Sequence, residues 1–480
     1  MNTKFWDKKH WFQPKSYLHF SKPLGFKDFN RIDKCMIDKN FISSYSFYPL
    51  IHRIQVQPRY KKLIDENGKT YRSHFNHAKN ESTKKVRHIF YANHLDSQIY
   101  SYYAKEVLSP LYENLLSINP DFSNCITAYR FIPQFPESKK GKSNIHFAQD
   151  VFRYIKKQEA CSVLCFDIES FFDNLNHKHL KTAWCELIGE DKLPKDHYNI
   201  YKSLTNFSYV DETCLKRELN LDWIDNGKIL KQVCNEKAID SYCADINDFK
   251  SRIIGNKNLN KRPLIKSHPF SSSNIQNNKT VRKGIPQGSA ISAFLANLYL
   301  LEFDKEIYSL MKSVNGLYRR YSDDIICVCD TNIEIHIKSS VEKAINKYSL
   351  KLNEKVDLVR FARDKSETLK YLGFEFDGEN IFLKSASLSK YYRKCKRLIQ
   401  HKAYCGYKLQ RKKTSIHTHI YRKKIYRRYT HLGNRNYLSY AFRASGILKS
   451  DTIRKQLRMH WKKVHRYINK WSGKFNLTKK

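Results

Sequence analysis

The 480-residue chain carries 88 Lys plus Arg against 46 Asp plus Glu, a formal charge of +42. At 41% hydrophobic and 14% aromatic it can bury a core, which excludes disorder over the whole chain. Self-repulsion of this size calls for a polyanion, with nucleic acid first and an anionic membrane surface second.

The 1–15 stretch is polar and aromatic, without the apolar centre of a secretion signal. The longest apolar run, 290–303, is short of the roughly 20 residues that span a bilayer. A cytoplasmic protein with no membrane partner is expected. Residues 163–166 read as a buried strand ending on Asp167. Cys161, Cys165, Cys327 and Cys329 sit inside apolar runs and no cysteine pair has CxxC spacing, so buried reduced thiols are expected rather than zinc or disulfides. The polar stretch 207–280, rich in Asn, Lys and Ser, reads as an insertion carried by the core.

Gly284, Pro286 and Gly288 make a tight loop that lets backbone and the Gln287 side chain approach a flat, polar substrate. The loop leads into a helix with Ile291, Phe294, Leu295, Leu298 and Leu301 on one side. Residues 317–321 and 325–328 read as two strands joined by a tight turn bearing Asp323 and Asp324. Adjacent carboxylates at such a turn repel, and burial disfavours both. A pair of divalent cations relieves that cost, and magnesium keeps positions open for substrate phosphates. A plain solvent-exposed Asp-Asp turn is the bland alternative, and this tetrapeptide alone is a weak signal.

From 384 to 480 there are 29 Lys and Arg and one acid, Asp451, so this segment holds +28 of the total +42. The bases do not form a disordered arm. Across 451–471, Ile453, Leu457, Trp461, Val464, Ile468 and Trp471 are three or four apart, which predicts one amphipathic helix capped by Asp451. A face kept merely soluble mixes signs, and this one does not. Tyr391, Tyr392, Tyr407, Tyr421, Tyr426 and Tyr429 interleave the bases, which suits stacking on nucleic acid. Arg393, Lys394, Arg397, Arg422, Lys423, Arg427, Arg428, Arg454, Arg458 and Lys462 are the candidate contacts of a helical clamp.

Taken together and in this order, the segments resemble the reverse transcriptases. Asp167 with FFDN is similar to motif A, GIPQGSAIS to motif B and YSDD to motif C. Residues 352–356 and 371–378 resemble motifs D and E, and 84–103 with 126–131 resemble the fingers motifs of bacterial enzymes. The resemblance covers roughly residues 80–400. It implies an α/β (α+β) right-hand polymerase: fingers and a palm with an antiparallel sheet, followed by an α-helical thumb. On that scheme 1–80 is an amino-terminal extension, 81–160 the fingers, 161–383 the palm with its insertion, and 384–480 the thumb.

Carried over residue by residue, the resemblance makes Asp167, Asp323 and Asp324 the catalytic, metal-binding triad, with the Ile168 carbonyl as a further ligand. Two Mg2+ ions, with Mn2+ as the alternative, are the implied cofactors. Phe172 matches the aromatic gate that selects deoxynucleotides, its plain reading being a core Phe beside Phe171. Gln287 would contact the nucleotide, Lys85 and Arg87 the triphosphate, and Lys355 the departing pyrophosphate. The implied partners are template–primer nucleic acid, deoxynucleoside triphosphates and a noncoding RNA, with a homo-oligomer compatible. The pattern of 376–394 resembles bacterial antiphage-defence enzymes of the unknown-group and abortive-infection lineages. Group II intron-like or retron-type enzymes are the alternatives, although no Val-Thr-Gly of the retron kind follows the palm. A non-catalytic RNA-binding scaffold is the third reading.

Overall fold

A computed structural model describes residues 10–57, 60–64, 68–76, 81–219, 223–225, 228–231, 239–255, 263–274, 279–353, 356–362, 367–411 and 419–477. Two four-stranded sheets draw on the chain in alternation. β1 (Leu50–Gln57) and β2 (Lys85–Tyr91) belong to the first, and β3 (Cys161–Asp167) to the second. β4 (Ser208–Asp211) and β5 (Lys266–Ser267) return to the first; β6 (Leu317–Tyr321), β7 (Asp324–Cys329) and β8 (Asp357–Phe361) complete the second. Contacts divide the chain the same way. One compact unit comprises Met1–Tyr129, Asp167–Ile307 and Val341–Asn353; the other comprises Arg130–Phe166, Tyr308–Ser340 and Glu354–Lys480.

In the first unit the strand order is β5-β4-β1-β2, with β2 antiparallel and β4 parallel to β1. The stretch 207–280 therefore supplies two strands of this sheet. Phe20, Ile51, Val210, Leu215 and Phe249 form its core. Strand alternation divides β2. His88 and Phe90 share the face of His52, whose Nδ1 lies 2.6 Å from Asp211 and whose Nε2 lies 2.9 Å from His88. Lys85, Arg87 and Ile89 lie on the other face. Asp96 is wholly buried, accepting hydrogen bonds from the Tyr45 hydroxyl (2.7 Å) and the Tyr48 N–H (3.0 Å). Burial pushes its carboxyl up to about 7.

In the second unit the order is β6-β7-β3-β8, with β6 antiparallel to β7 and β8 antiparallel to β3. β3 and β7 are the central strands, and their near-continuous apolar runs follow from cover on both faces. Cys161, Cys327 and Cys329 are buried and Cys165 half-buried, and every described cysteine is free. Val163, Ile326 and Val328 join Phe152, Phe374, Phe376, Leu438 and Ile453 in one core.

The carboxy-terminal region is helical: α1 (Ser385–Arg411), α2 (Lys423–Tyr429), α3 (Tyr437–Leu448), α4 (Asp451–Leu457) and α5 (His460–Lys474). The single helix expected over 451–471 is two, α4 and α5. The apolar stripe continues through the break because its halves serve different cores: Ile453 and Leu457 pack with the second unit's sheet, while Val464, Ile468 and Trp471 pack with Cys395, Ile399 and Ala403 of α1. The cap is Ser450, whose hydroxyl accepts from the Ile453 N–H, and Asp451 takes the first helical position. The helix after the Gly284–Gly288 loop, Ser292–Tyr299, is buried nearly all round rather than on one side.

Candidate active site

The β6–β7 hairpin closes on the pair Tyr321–Asp324, leaving a two-residue turn of Ser322 and Asp323. Ser322 takes φ +61°, the positive value such tight turns require. Asp323 is half-buried at the tip and Asp324 exposed at the start of β7. Arg320, two residues before the turn, is 0% exposed, and its Nη1 donates to the Ser322 carbonyl at 3.1 Å. This buried guanidinium ties the turn's backbone to the sheet. Burial, with Asp357 and Asp324 nearby, pushes the Cys165 thiol up to about 12. Asp324 thus adds its negative field at the carboxy-terminal end of β3.

β3 ends on Asp167, an exposed carboxylate. Asn353 holds it twice: Nδ2 donates to Oδ2 at 2.5 Å, and the backbone N–H donates to the Asp167 carbonyl at 2.8 Å. The Glu169 N–H donates to Lys351 at 2.9 Å, so these two backbone bonds bracket the antiparallel bridge Ile168–Leu352. In that arrangement the Ile168 N–H and carbonyl point away from Leu352, which leaves the carbonyl directed elsewhere as a donor oxygen. Carboxylates plus a backbone carbonyl are an all-oxygen set, which fits magnesium or manganese and not a soft metal. Among the described residues, no three His, Cys, Asp or Glu side chains gather closely enough to hold a metal alone.

After Asp167 the chain turns through Ser170, φ +45°, into the short helix Phe171–Asn174. Phe171 is buried and Phe172 half-exposed, so the adjacent rings do point differently. Burial pushes the Asp173 carboxyl up to about 6, opposed in part by Lys283. The Gly284–Gly288 loop is clamped to both neighbours of the nucleotide candidates. The Gly284 N–H donates to Leu175 at 2.7 Å and the Ile285 N–H to the Phe172 carbonyl at 2.8 Å. Gly284 has φ +78°, and a Cβ there would stand 2.5 Å from the Asp173 carbonyl oxygen. On the other side the Phe90 N–H donates to the Gln287 carbonyl at 2.8 Å, and a Cβ on Gly288 would lie 2.7 Å from the Phe90 oxygen and 3.0 Å from Ile89. Ile89 marks the β2 face that also carries Lys85 and Arg87. Backbone bonds thus gather Phe172, Gln287, Lys85 and Arg87 within one unit. Lys355 lies outside the described residues.

The basic candidates all fall on or beside α1, α2, α4 and α5. Arg393, Lys394, Arg397, Lys423, Arg427, Arg428, Arg454, Arg458 and Lys462 are exposed, and Arg422 is half-buried. The interleaved tyrosines do not share that exposure. Tyr391 is a core residue, its hydroxyl donating to the Tyr429 carbonyl at 2.7 Å, and of the six only Tyr421 is fully exposed. Their helical spacing with apolar neighbours turned most of them inward.

Two supporting residues, Arg320 and Asn353, carry no motif of their own. Arg320 could have been found from strand alternation, which puts it on the buried face of Tyr318. Asn353 acts across 186 positions of sequence, and no local signal points to it.

A sequence model of the family "Reverse transcriptase (RNA-dependent DNA polymerase)" matches residues 242–376, which include the Gly284–Gly288 loop and the Ser322–Asp324 turn. Residues 242–376 are therefore similar to reverse transcriptase domains. The retron Se72 reverse transcriptase of Salmonella heidelberg (strain 579083-10) is 28% identical over 137 residues, 27% of this chain and 36% of the relative. The chain thus matches only about a third of that relative's length. Among solved structures, a truncated apo telomerase from Candida tropicalis is similar at 12% identity and a TM-score of 0.36, over 75% of this chain and 61% of that one. Telomerase from Candida albicans with a telomeric RNA fragment scores 0.37 at 11% identity, over 89% and 56%. Among the described residues no helix is long and apolar enough to cross a membrane.

Proposed function

We propose that the protein is a bacterial RNA-directed DNA polymerase. Its fingers, palm and thumb would be 81–160, 161–383 and 384–480, with 1–80 an extension. The observation that carries this is the clamped Gly284–Gly288 loop, whose backbone bonds join the Phe172 turn to the Lys85–Arg87 face of β2. In this reading the half-exposed Phe172 ring lies where a ribose 2′-hydroxyl would clash, Gln287 lies against the nucleotide, and Lys85, Arg87 and Lys355 neutralise its phosphates. Asp167, Asp323, Asp324 and the Ile168 carbonyl would hold two Mg2+ or Mn2+ ions, which supply positive charge to the attacking and leaving oxygens. Asn353 fixes the rotamer of Asp167, and Arg320 holds the Asp323–Asp324 turn before any ion arrives.

The basic helices would grip template–primer or a dedicated noncoding RNA in the cytoplasm. A role in antiphage defence is supported by the sequence pattern of 376–394. The retron relative equally supports a retron-type enzyme with its own structured RNA. The test is primer extension on an RNA template with magnesium and deoxynucleotides. The pair Asp323→Asn and Asp324→Asn should lower incorporation by about 1,000-fold or more while RNA affinity stays within about 2-fold. Synthesis retained in that variant refutes the site.

A further inference from the structure

The C-terminal helices contain a cavity of about 810 Å3 whose lining the polymerase chemistry does not use. It opens between α1, α2 and the loop that joins α2 to α3. Lys390 and Lys394 of α1, Arg427 and Arg428 of α2, and Arg435 of the loop contribute five cations to its wall. All five are exposed, and none makes an ion pair with a described carboxylate. Tyr391 and Tyr437 form an aromatic pair in the lining, their ring centroids 4.8 Å apart at 26°. Leu432 stands at the rim 61% exposed, an apolar side chain among cations.

The cavity is built rather than incidental. The Asn436 Nδ2 donates to three carbonyls, that of Arg427 in α2 (3.2 Å) and those of Thr430 (2.8 Å) and Gly433 (2.9 Å) in the loop. A Cβ on Gly433 would fall 1.8 Å from the Arg427 carbonyl oxygen, so the loop lies flush against the end of α2. Five like charges on a pinned wall repel one another, and no acid among the described residues pairs with them. The missing counter-charge belongs to a ligand. Its size excludes a duplex, which needs a groove or a surface, and suits one or two nucleotides. Several negative charges, a flat face to lie on Leu432 and the half-exposed Tyr437, and guanidinium planes beside it describe a phosphorylated nucleotide taken out of its stack.

We infer that this cavity binds a single-stranded nucleotide unit with its flanking phosphates, as a second nucleic-acid site apart from the polymerase centre. It deepens the proposed role of the basic helices, yet it rests on the geometry of these helices alone. The shared chemistry is a nucleotide carrying two or more phosphates, which comes either from a strand or from a free nucleoside triphosphate.

The experiment is fluorescence anisotropy of the full-length protein with labelled hexanucleotides of RNA and DNA, with ATP as competitor. Lys390→Ala with Arg435→Ala should weaken hexanucleotide binding about 10-fold or more. Lys455→Ala with Lys470→Ala, equal in charge and outside the cavity, should weaken it less than about 3-fold. Equal weakening by both pairs overturns the site in favour of diffuse attraction. Gly433→Ala, which removes no charge, should also cost several-fold by displacing the wall; wild-type binding in that variant overturns the pocket's shape. A strand ligand shows as binding that ATP leaves untouched, a free nucleotide as displacement by ATP that the cavity variant loses, and either supports the site. Failure here leaves primer extension and its loss in the Asp323/Asp324 variant unaffected, so the two readings fail separately.

Discussion

Like charges gather at two places, and the chain treats them differently. At the Ser322–Asp324 turn a buried cation, Arg320, bonds the Ser322 carbonyl and fixes the backbone that carries the acids. In the C-terminal cavity the five bases have no counter-charge among the described residues; their wall is held by the uncharged Asn436 and by close backbone contact at Gly433. The first arrangement fixes the backbone on which its acids sit and leaves their repulsion unrelieved by that bond. The second keeps all its charge available, which a partner with many spaced anionic groups requires. What each cluster lacks is a guide to what it binds.

The comparison breaks most sharply at Arg320. Arg320→Met removes the acidic turn's support and should lower incorporation by about 100-fold and stability by about 3 kcal/mol, as expected for deleting a buried charge with bonded neighbours. Nucleic-acid affinity and its salt slope should not move, and a flattened slope in anisotropy titrations would show that the two clusters are coupled. Phe172→Val, which touches neither cluster, should leave deoxynucleotide incorporation within a few-fold while admitting ribonucleotides about 10 to 100 times better. Unchanged sugar selectivity in single-nucleotide assays places the gate elsewhere.

The smallest effect comes from a third way of treating a charge. Asp96 is buried with no cation paired to it among the described residues, and burial raises its carboxyl to about 7. A carboxyl whose folded value lies above its unfolded one stabilises fully below about pH 4, and that stabilisation is lost as pH rises through about 7. Wild-type protein should therefore melt a few degrees lower at pH 8 than at pH 5, and Asp96→Asn should flatten that dependence. An unchanged pH slope in the variant assigns the titration to another group.

Much of the second unit's sheet is legible in the sequence. The strands expected at 163–166, 317–321 and 325–328 fall inside Cys161–Asp167, Leu317–Tyr321 and Asp324–Cys329. Central strands covered on both faces leave continuous apolar runs, and the aspartates between two such runs mark the connection, Asp323 in the turn and Asp324 at the start of β7. The C-terminal helix was misjoined because three-and-four spacing records that a face is buried, not against what. Ile453 and Val464 obey one periodicity and enter different cores. Asn353 carries no local signal because it acts across 186 positions, whereas Arg320 acts two residues along the chain and strand alternation alone would have placed it on a buried face.

The alternation of the two units along the chain constrains how the protein can be made. Asp167 leaves the ribosome long before Asn353, so its carboxylate waits for the partner that orients it until most of the chain is synthesised. β3 likewise cannot acquire both sheet neighbours until β8 has emerged. The nascent chain therefore remains partly unassembled through most of its synthesis. No contiguous fragment ending before Asn353 can reproduce the Asp167 arrangement.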